Sequence, residues 1–228
     1  MSGPPSRPLS RSGRRAGLVL FLAVLLTGLA GAAPDFDRLA SLAQQRYGAS
    51  GSEAVAAWRQ TLAAAAPLPE AEQVARINAF FNRRLQYESD QVVWGQSDYW
   101  ATPLESLGRG AGDCEDFAIA KYASLEALGI SRQKLRLIYV RAQIGGPASG
   151  IVQAHMVLGY YPTPSAEPLV LDSLLNEIRP ASRRPDLSPV FSFNGEGLWV
   201  GSTTVADPTA RLSRWRDLLT RMAREGSQ

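Results

Sequence analysis

The 228-residue chain contains one cysteine and one histidine, so any chemistry that needs a thiol or an imidazole rests on Cys114 and His155. Cys114 directly follows backbone rich in glycine (Gly108, Gly110, Gly112) and opens a helical pattern that runs to Leu128 and ends at Gly129. Free peptide N–H groups and the positive helix end favour an anion at such a position, which lowers a thiol pKa and raises its thiolate fraction. His155 falls inside an expected strand and Asp172 at the end of the next. If those strands pair as a hairpin, the carboxylate can orient the ring. The combination suits nucleophilic acyl transfer: imidazole removes the thiol proton, sulfur attacks a carbonyl, and imidazole protonates the leaving group. The backbone N–H of Cys114 is a natural donor to the resulting oxyanion. The segment containing Trp94 and Gln96 is the expected source of a second donor.

Each residue has a plainer explanation when taken alone. A single cysteine is more often a buried small hydrophobe, a lone strand histidine a structural residue, and an aspartate closing a strand a turn former. Their order of Cys, His and Asp, on a helix start and two neighbouring strands, favours catalysis.

Asp113, Glu115 and Asp116 surround the thiol with three carboxylates. Two of them have an ordinary use, with Asp113 as N-cap and Asp116 in a capping-box-like position. Yet nearby anions disfavour a thiolate. A bound cation would relieve that repulsion and use all three, and hard oxygen ligands suit Ca²⁺.

The elements that must position these groups are legible in outline. Three helices are expected first: about 35–47 ending at Gly48, a second after Ser52 as N-cap and before Pro67, and a third from Pro69-Glu70 to Leu85. A loop-rich segment, 87–112, follows, with a helical turn around 102–107. Strands are expected over 134–142, 152–161, 168–172, 190–193 and 198–200, then a closing helix over 208–224. Helices first and antiparallel hairpins later indicate an α+β domain over residues 33–228.

Residues 1–32 read as a signal peptide. Arg7, Arg11, Arg14 and Arg15 precede an apolar run from Ala16 to Ala30, and Ala30 and Ala32 fit a cleavage site after Ala32. The run is short beside the ~20 residues that span a bilayer, which disfavours a retained anchor. Without this segment the formal charge of +3 becomes 20 basic against 21 acidic side chains, so a nucleic-acid partner is not expected. A single cysteine in an exported protein excludes an internal disulfide. Nothing in the pattern asks for a stable oligomer, and a monomer is expected.

The stretch Gly110-Ala111-Gly112-Asp113-Cys114-Glu115-Asp116, continued by Phe117-Ala118-Ile119-Ala120-Lys121-Tyr122, resembles the bacterial transglutaminase-like cysteine peptidases of the LapG type. The segments His155-Met156-Val157-Leu158, Leu171-Asp172 and 186–194 (DLSPVFSFN) are similar to that family as well. The resemblance implies a papain-like, transglutaminase-like fold with N-terminal helices packed on an antiparallel sheet. It implies a calcium-dependent periplasmic endopeptidase with Cys114, His155 and Asp172 as triad and the flanking acids as the calcium site. Its substrate would be the N-terminal region of a large surface adhesin, whose release disperses biofilm. Its inhibitor would be the periplasmic domain of an inner-membrane receptor for cyclic di-GMP. Two rival functions use the same scaffold: a transglutaminase-type acyl transferase, and a non-catalytic binding module.

Overall fold

Helix α1 spans Phe36–Ala65, with Asp35 accepting the Arg38 N–H as its N-cap. The two helices expected here are present as two helical segments on either side of Gly48, whose φ of 70° and ψ of −160° are non-helical backbone that glycine adopts without steric cost. The second segment resumes directly after Gly48, ahead of the expected N-cap at Ser52. Its buried stripe of Leu39, Ala43, Val55, Trp58 and Leu62 faces the interior. Helix α2, Glu70–Arg84, buries Val74, Ile77 and Phe81 at helical spacing and carries acids in its first turn and arginines in its last.

Strand β1, Gln86–Tyr87, leads into the short helix α3, Asp90–Val93. Helix α4, Pro103–Arg109, begins with a full capping box between Thr102 and Glu105. It ends at Gly110, left-handed at φ 68°, after which strand β2, Ala111–Gly112, pairs in parallel with β1. Helix α5, Cys114–Ala127, is buried from Asp116 to Leu125 without a break. A helix buried on every side belongs to the centre of a domain. Trp58 anchors it by donating its indole N–H to Ser124 Oγ at 2.8 Å.

The rest is a seven-stranded antiparallel sheet, ordered β6-β5-β4-β3-β7-β8-β9. Its strands are β3 (Leu135–Ile144), β4 (Ile151–Tyr160), β5 (Leu169–Leu171), β6 (Arg179–Pro180), β7 (Leu187–Phe193), β8 (Leu198–Val200) and β9 (Thr203–Ala206). The main core fills the space between the helices and one sheet face, with Leu135, Leu137, Met156 and Leu158 meeting Phe117, Ile119 and Leu125. A smaller cluster of Ile138, Val140, Ala142, Val157 and Val170 forms separately. The closing helix is broken at Leu212 into α6, Pro208–Arg211, and α7, Ser213–Glu225.

The computed structural model describes residues 1, 3, 34–146, 148–163 and 165–227. The expected signal peptide lies outside the described residues, Met1 and Gly3 apart. Among the described residues, no helix is long and apolar enough to cross a membrane. The α+β class, with helices on an antiparallel sheet, is as the sequence implied.

Candidate active site and acidic cluster

Cys114 is the first residue of α5, the central helix, and is nearly buried. Its sulfur accepts from the backbone N–H of Met156 in β4, so the thiol rests against the strand residue that follows His155. The hairpin supplies the rest. Leu158 pairs with Leu171, which carries Asp172, just past the end of β5, back toward His155. The imidazole Nε2 and Asp172 Oδ1 are 2.7 Å apart, and both side chains are almost completely buried.

Asp172 is held on every side. Arg184 donates to its Oδ2 at 2.7 Å and the N–H of Leu174 to its Oδ1 at 3.0 Å. Its backbone oxygen accepts from Lys121 Nζ at 3.1 Å and from Asn82 Nδ2 at 2.9 Å. Burial alone would raise this carboxyl, but the hydrogen bonds from His155, Leu174 and Arg184 hold it well below the usual carboxylate range. A carboxylate fixed in its ionised form accepts a hydrogen bond from Nε2–H, which assigns the N–H of neutral His155 to Nε2 and the lone pair to Nδ1. Nδ1 is buried and has no hydrogen-bond partner. Lys121 is itself fully buried, and desolvation brings its ammonium down to about 7 against the opposing charge of Asp172.

Arg184 pairs with both Asp172 and Asp186 while nearly buried. Removing one partner of such a pair leaves an uncompensated buried charge and costs about 3–5 kcal/mol. Arg184→Met is therefore expected to lower the melting temperature by roughly 6–20 °C, since a chain of this length moves about 2–4 °C per kcal/mol. Because the folded pKa of Asp172 is depressed, its contribution is present above the unfolded value of about 4 and is lost as pH falls below it. Melting curves at pH 7 and pH 3 check this: the gap between parent and variant should narrow at pH 3, and an equal gap would contradict the linkage.

The acids flanking Cys114 do less capping than their positions suggest. Asp113 stands at the N-cap without a side-chain cap bond. Asp116 uses Oδ1 to accept the N–H of Ala101 at 2.7 Å, and the N–H of Asp113 also favours its charge. Gly112 makes room for it, as a Cβ there would meet Asp116 Oδ2 at 2.5 Å. The structure adds two acids that the sequence did not single out. Asp90, buried at the start of α3, accepts the Tyr99 N–H at 2.5 Å, and Asp98 is an exposed partner of Arg214. Ligand atoms of Asp90, Asp113 and Asp116 lie within 4.8 Å of one another, as do those of Asp90, Asp98 and Glu115.

Three oxygens decide how well this cluster fits a metal ion. Asp90 Oδ1, Asp113 Oδ1 and Asp116 Oδ2 are buried and accept no hydrogen bond. Convergent unsatisfied carboxylates at this spacing suit a hard divalent cation. Crowding without one is costly: burial first, then the charges of Glu115 and Asp116, pushes Asp113 up to about 9. Burial chiefly pushes Asp90 up to about 6, and it raises Asp116 as well. The thiol feels the same field. Burial, then the charge of Glu115 and a hydrogen bond to it, raise the Cys114 pKa. The thiol donates to Glu115 Oε2 at 2.9 Å.

A family model described as bacterial transglutaminase-like cysteine proteinase matches residues 50–185. That span contains Cys114, His155, Asp172, Arg184 and all five acids. The chain belongs to this family of cysteine proteinases. Its fold is similar to that of Legionella pneumophila LapG treated with EGTA, at 40% identity and a TM-score of 0.72, covering 83% of this chain and 100% of that one. A second LapG structure matches at 41% identity and 0.71, over 83% and 99% of the two chains. A calcium-bound LapG matches at 41% and 0.69, over 82% and 98%. No curated protein sequence matches the chain. The LapG type expected from the Cys114 segment is thus the type found.

Proposed function

We propose that this cysteine proteinase is a calcium-dependent periplasmic endopeptidase that clips the N-terminal region of a large surface adhesin, and that Cys114, His155 and Asp172 are its triad. The observation that carries the catalytic part is the buried His155–Asp172 pair, bonded through Nε2 with Nδ1 unengaged, beside a thiol at the start of the central helix. Membership of the proteinase family and likeness to LapG support the reaction class. The signal-like N-terminus supports the compartment.

The chemistry follows from these residues. Nδ1 of His155 takes the thiol proton, and the resulting imidazolium is stabilised by Asp172. Arg184 keeps that carboxylate ionised and aimed at Nε2. Sulfur attacks the peptide carbonyl, the imidazolium protonates the leaving amine, and water then resolves the thioester with His155 again as base. Asp90, Asp113, Glu115 and Asp116 would hold the calcium ion, with Asp98 at its open side. When bound, the ion supplies positive charge beside the thiol and occupies the carboxylates that oppose a thiolate.

The substrate and the regulator come from the family resemblance. An adhesin N-terminal region is the proposed target, and the periplasmic domain of a cyclic di-GMP receptor the proposed inhibitor. To test the function, the purified chain is mixed with the N-terminal region of a large adhesin from the same genome and with Ca²⁺. A labelled amine is included. Discrete backbone cleavage, found by mass spectrometry, is the expected result. Amine incorporation into glutamine side chains without backbone cleavage would instead establish the transglutaminase reaction.

A further inference from the structure

Tyr87 stands beside the nucleophile. It is the last residue of β1, and its parallel pairing with Gly112 sets it two residues ahead of Cys114 in the neighbouring strand. The Glu88 N–H, donating to Gly112 O at 2.9 Å, fixes the backbone on its other side. Its ring stacks on Phe117, three residues beyond Cys114, with centroids 6.2 Å apart. Paired at Gly112 and stacked on Phe117, the side chain lies beside the first turn of α5, where its hydroxyl interacts with the Cys114 thiol. Tyr87 is still 40% exposed, so its side chain joins the buried sulfur to the surface.

We infer that the Tyr87 hydroxyl is a catalytic oxyanion donor that works with the backbone N–H of Cys114. The inference rests on the peptidase reading above. When sulfur adds to a carbonyl, the S–C bond forms and the C=O π pair moves onto oxygen, two bonds from the sulfur. A donor beside Sγ is placed to meet that charge as it develops. The phenol keeps its proton throughout, because burial and the nearby acids raise its pKa. It donates a hydrogen bond without transferring a proton, so the step balances with His155 as the only acid and base. The Trp94 ring, in the segment expected to provide this donor, packs against Tyr99 at 4.7 Å between centroids and under Arg109 at 5.4 Å, while its indole N–H is buried without a hydrogen-bond partner.

The test compares two reactions of one thiol. Acylation of the full chain by p-nitrophenyl acetate passes through an oxyanion and is read as a burst of p-nitrophenol. Alkylation of Cys114 by iodoacetamide forms no oxyanion and is read by mass. Tyr87→Phe preserves the stacking on Phe117 and is expected to slow the burst about 100-fold, the usual cost of losing one oxyanion donor. Alkylation should stay within about twofold. Equal slowing of both reactions would make Tyr87 a residue that only places the thiol, and no slowing of the burst would remove it from the reaction; either overturns the inference. A burst that persists in the Cys114→Ala chain would overturn the peptidase reading and this inference together. Unchanged melting of Tyr87→Phe separates all of these from a folding defect.

Discussion

A Cys114→Ala chain is expected to lose cleavage by a factor on the order of 10⁴ or more, while remaining folded. The sulfur sits against the Met156 N–H and has Glu115 as acceptor, but it is a small group among the many contacts that join α5 to the sheet. Its removal deletes one small buried group and should cost about 1 kcal/mol, a few degrees of melting temperature. His155→Gln should produce a loss of similar size, because without Nδ1 as base the thiol stays protonated in its acidic surroundings. The decisive comparison is the double variant. Residues that act as one unit are non-additive, so removing both should be no worse than removing either. Losses that multiply in the double variant would show that Cys114 and His155 act separately, and activity retained in Cys114→Ala would dismiss the nucleophile. The measurement is kcat/KM on one purified adhesin fragment, with melting curves for every variant.

The burial of the His155–Asp172 pair explains why such losses should be steep. Water does not reach either group, so the orientation of the ring depends on the contacts named above and on nothing else. The same isolation sets a requirement on Asp172. A lone carboxylate there would be raised by burial and would compete with His155 for the proton, but Arg184 on Oδ2 and the Leu174 N–H on Oδ1 keep it anionic. In the proposed reaction its task is thereby limited to aiming the ring and stabilising the imidazolium.

The parts of this design that were legible in the sequence are local. The α5 start was marked by its glycines and by Gly129, and the β3–β4 hairpin by alternation over KLRLIYVRA, so Cys114 and His155 could be placed on their elements. Asp90 and Asp98 were not found, because no spacing rule ties them to Cys114. They reach the acidic cluster through β1–β2 pairing and the loop after α3, contacts with no periodic signature. Lys121 was hidden for another reason. Helix α5 is buried all round, so it has no polar face against which a buried lysine would look out of place. Arg184 lies in an irregular segment before β7, and only the fold reveals its carboxylate partners. The break at Gly48 was legible, because a glycine at positive φ commonly ends a helix; the start of the second segment was not, since it follows Gly48 directly rather than waiting for Ser52 as N-cap.

Calcium removal is expected to have the second large effect, and its pH dependence tests the acidic cluster apart from catalysis. EGTA should reduce kcat/KM at least 100-fold at pH 8, and excess Ca²⁺ should restore it. The cause is electrostatic. Without the ion, Glu115 holds the thiol hydrogen, and its charge opposes the thiolate. The stability effect has a definite sign. Asp90 at about 6 and Asp113 at about 9 lie above the unfolded value of about 4, so the metal-free fold binds more protons than the unfolded chain between about pH 4 and pH 9. Metal-free stability due to these groups is therefore greatest at the acid end and falls as pH rises through that window. Calcium and protons compete for the same oxygens, so the stabilisation by calcium grows with pH. At a concentration 100 times its dissociation constant the ion contributes about 2.7 kcal/mol, or roughly 5–11 °C of melting temperature. That increment is expected at pH 8 and should shrink markedly at pH 5. Asp90→Asn should weaken it although Asp90 is distant from Cys114 in sequence, because Oδ1 of Asp90 is one of the three converging oxygens. An increment equal at both pH values, or one untouched by Asp90→Asn, would return Asp113 and Asp116 to the helix start as ordinary acidic residues and leave the proteinase without its calcium site.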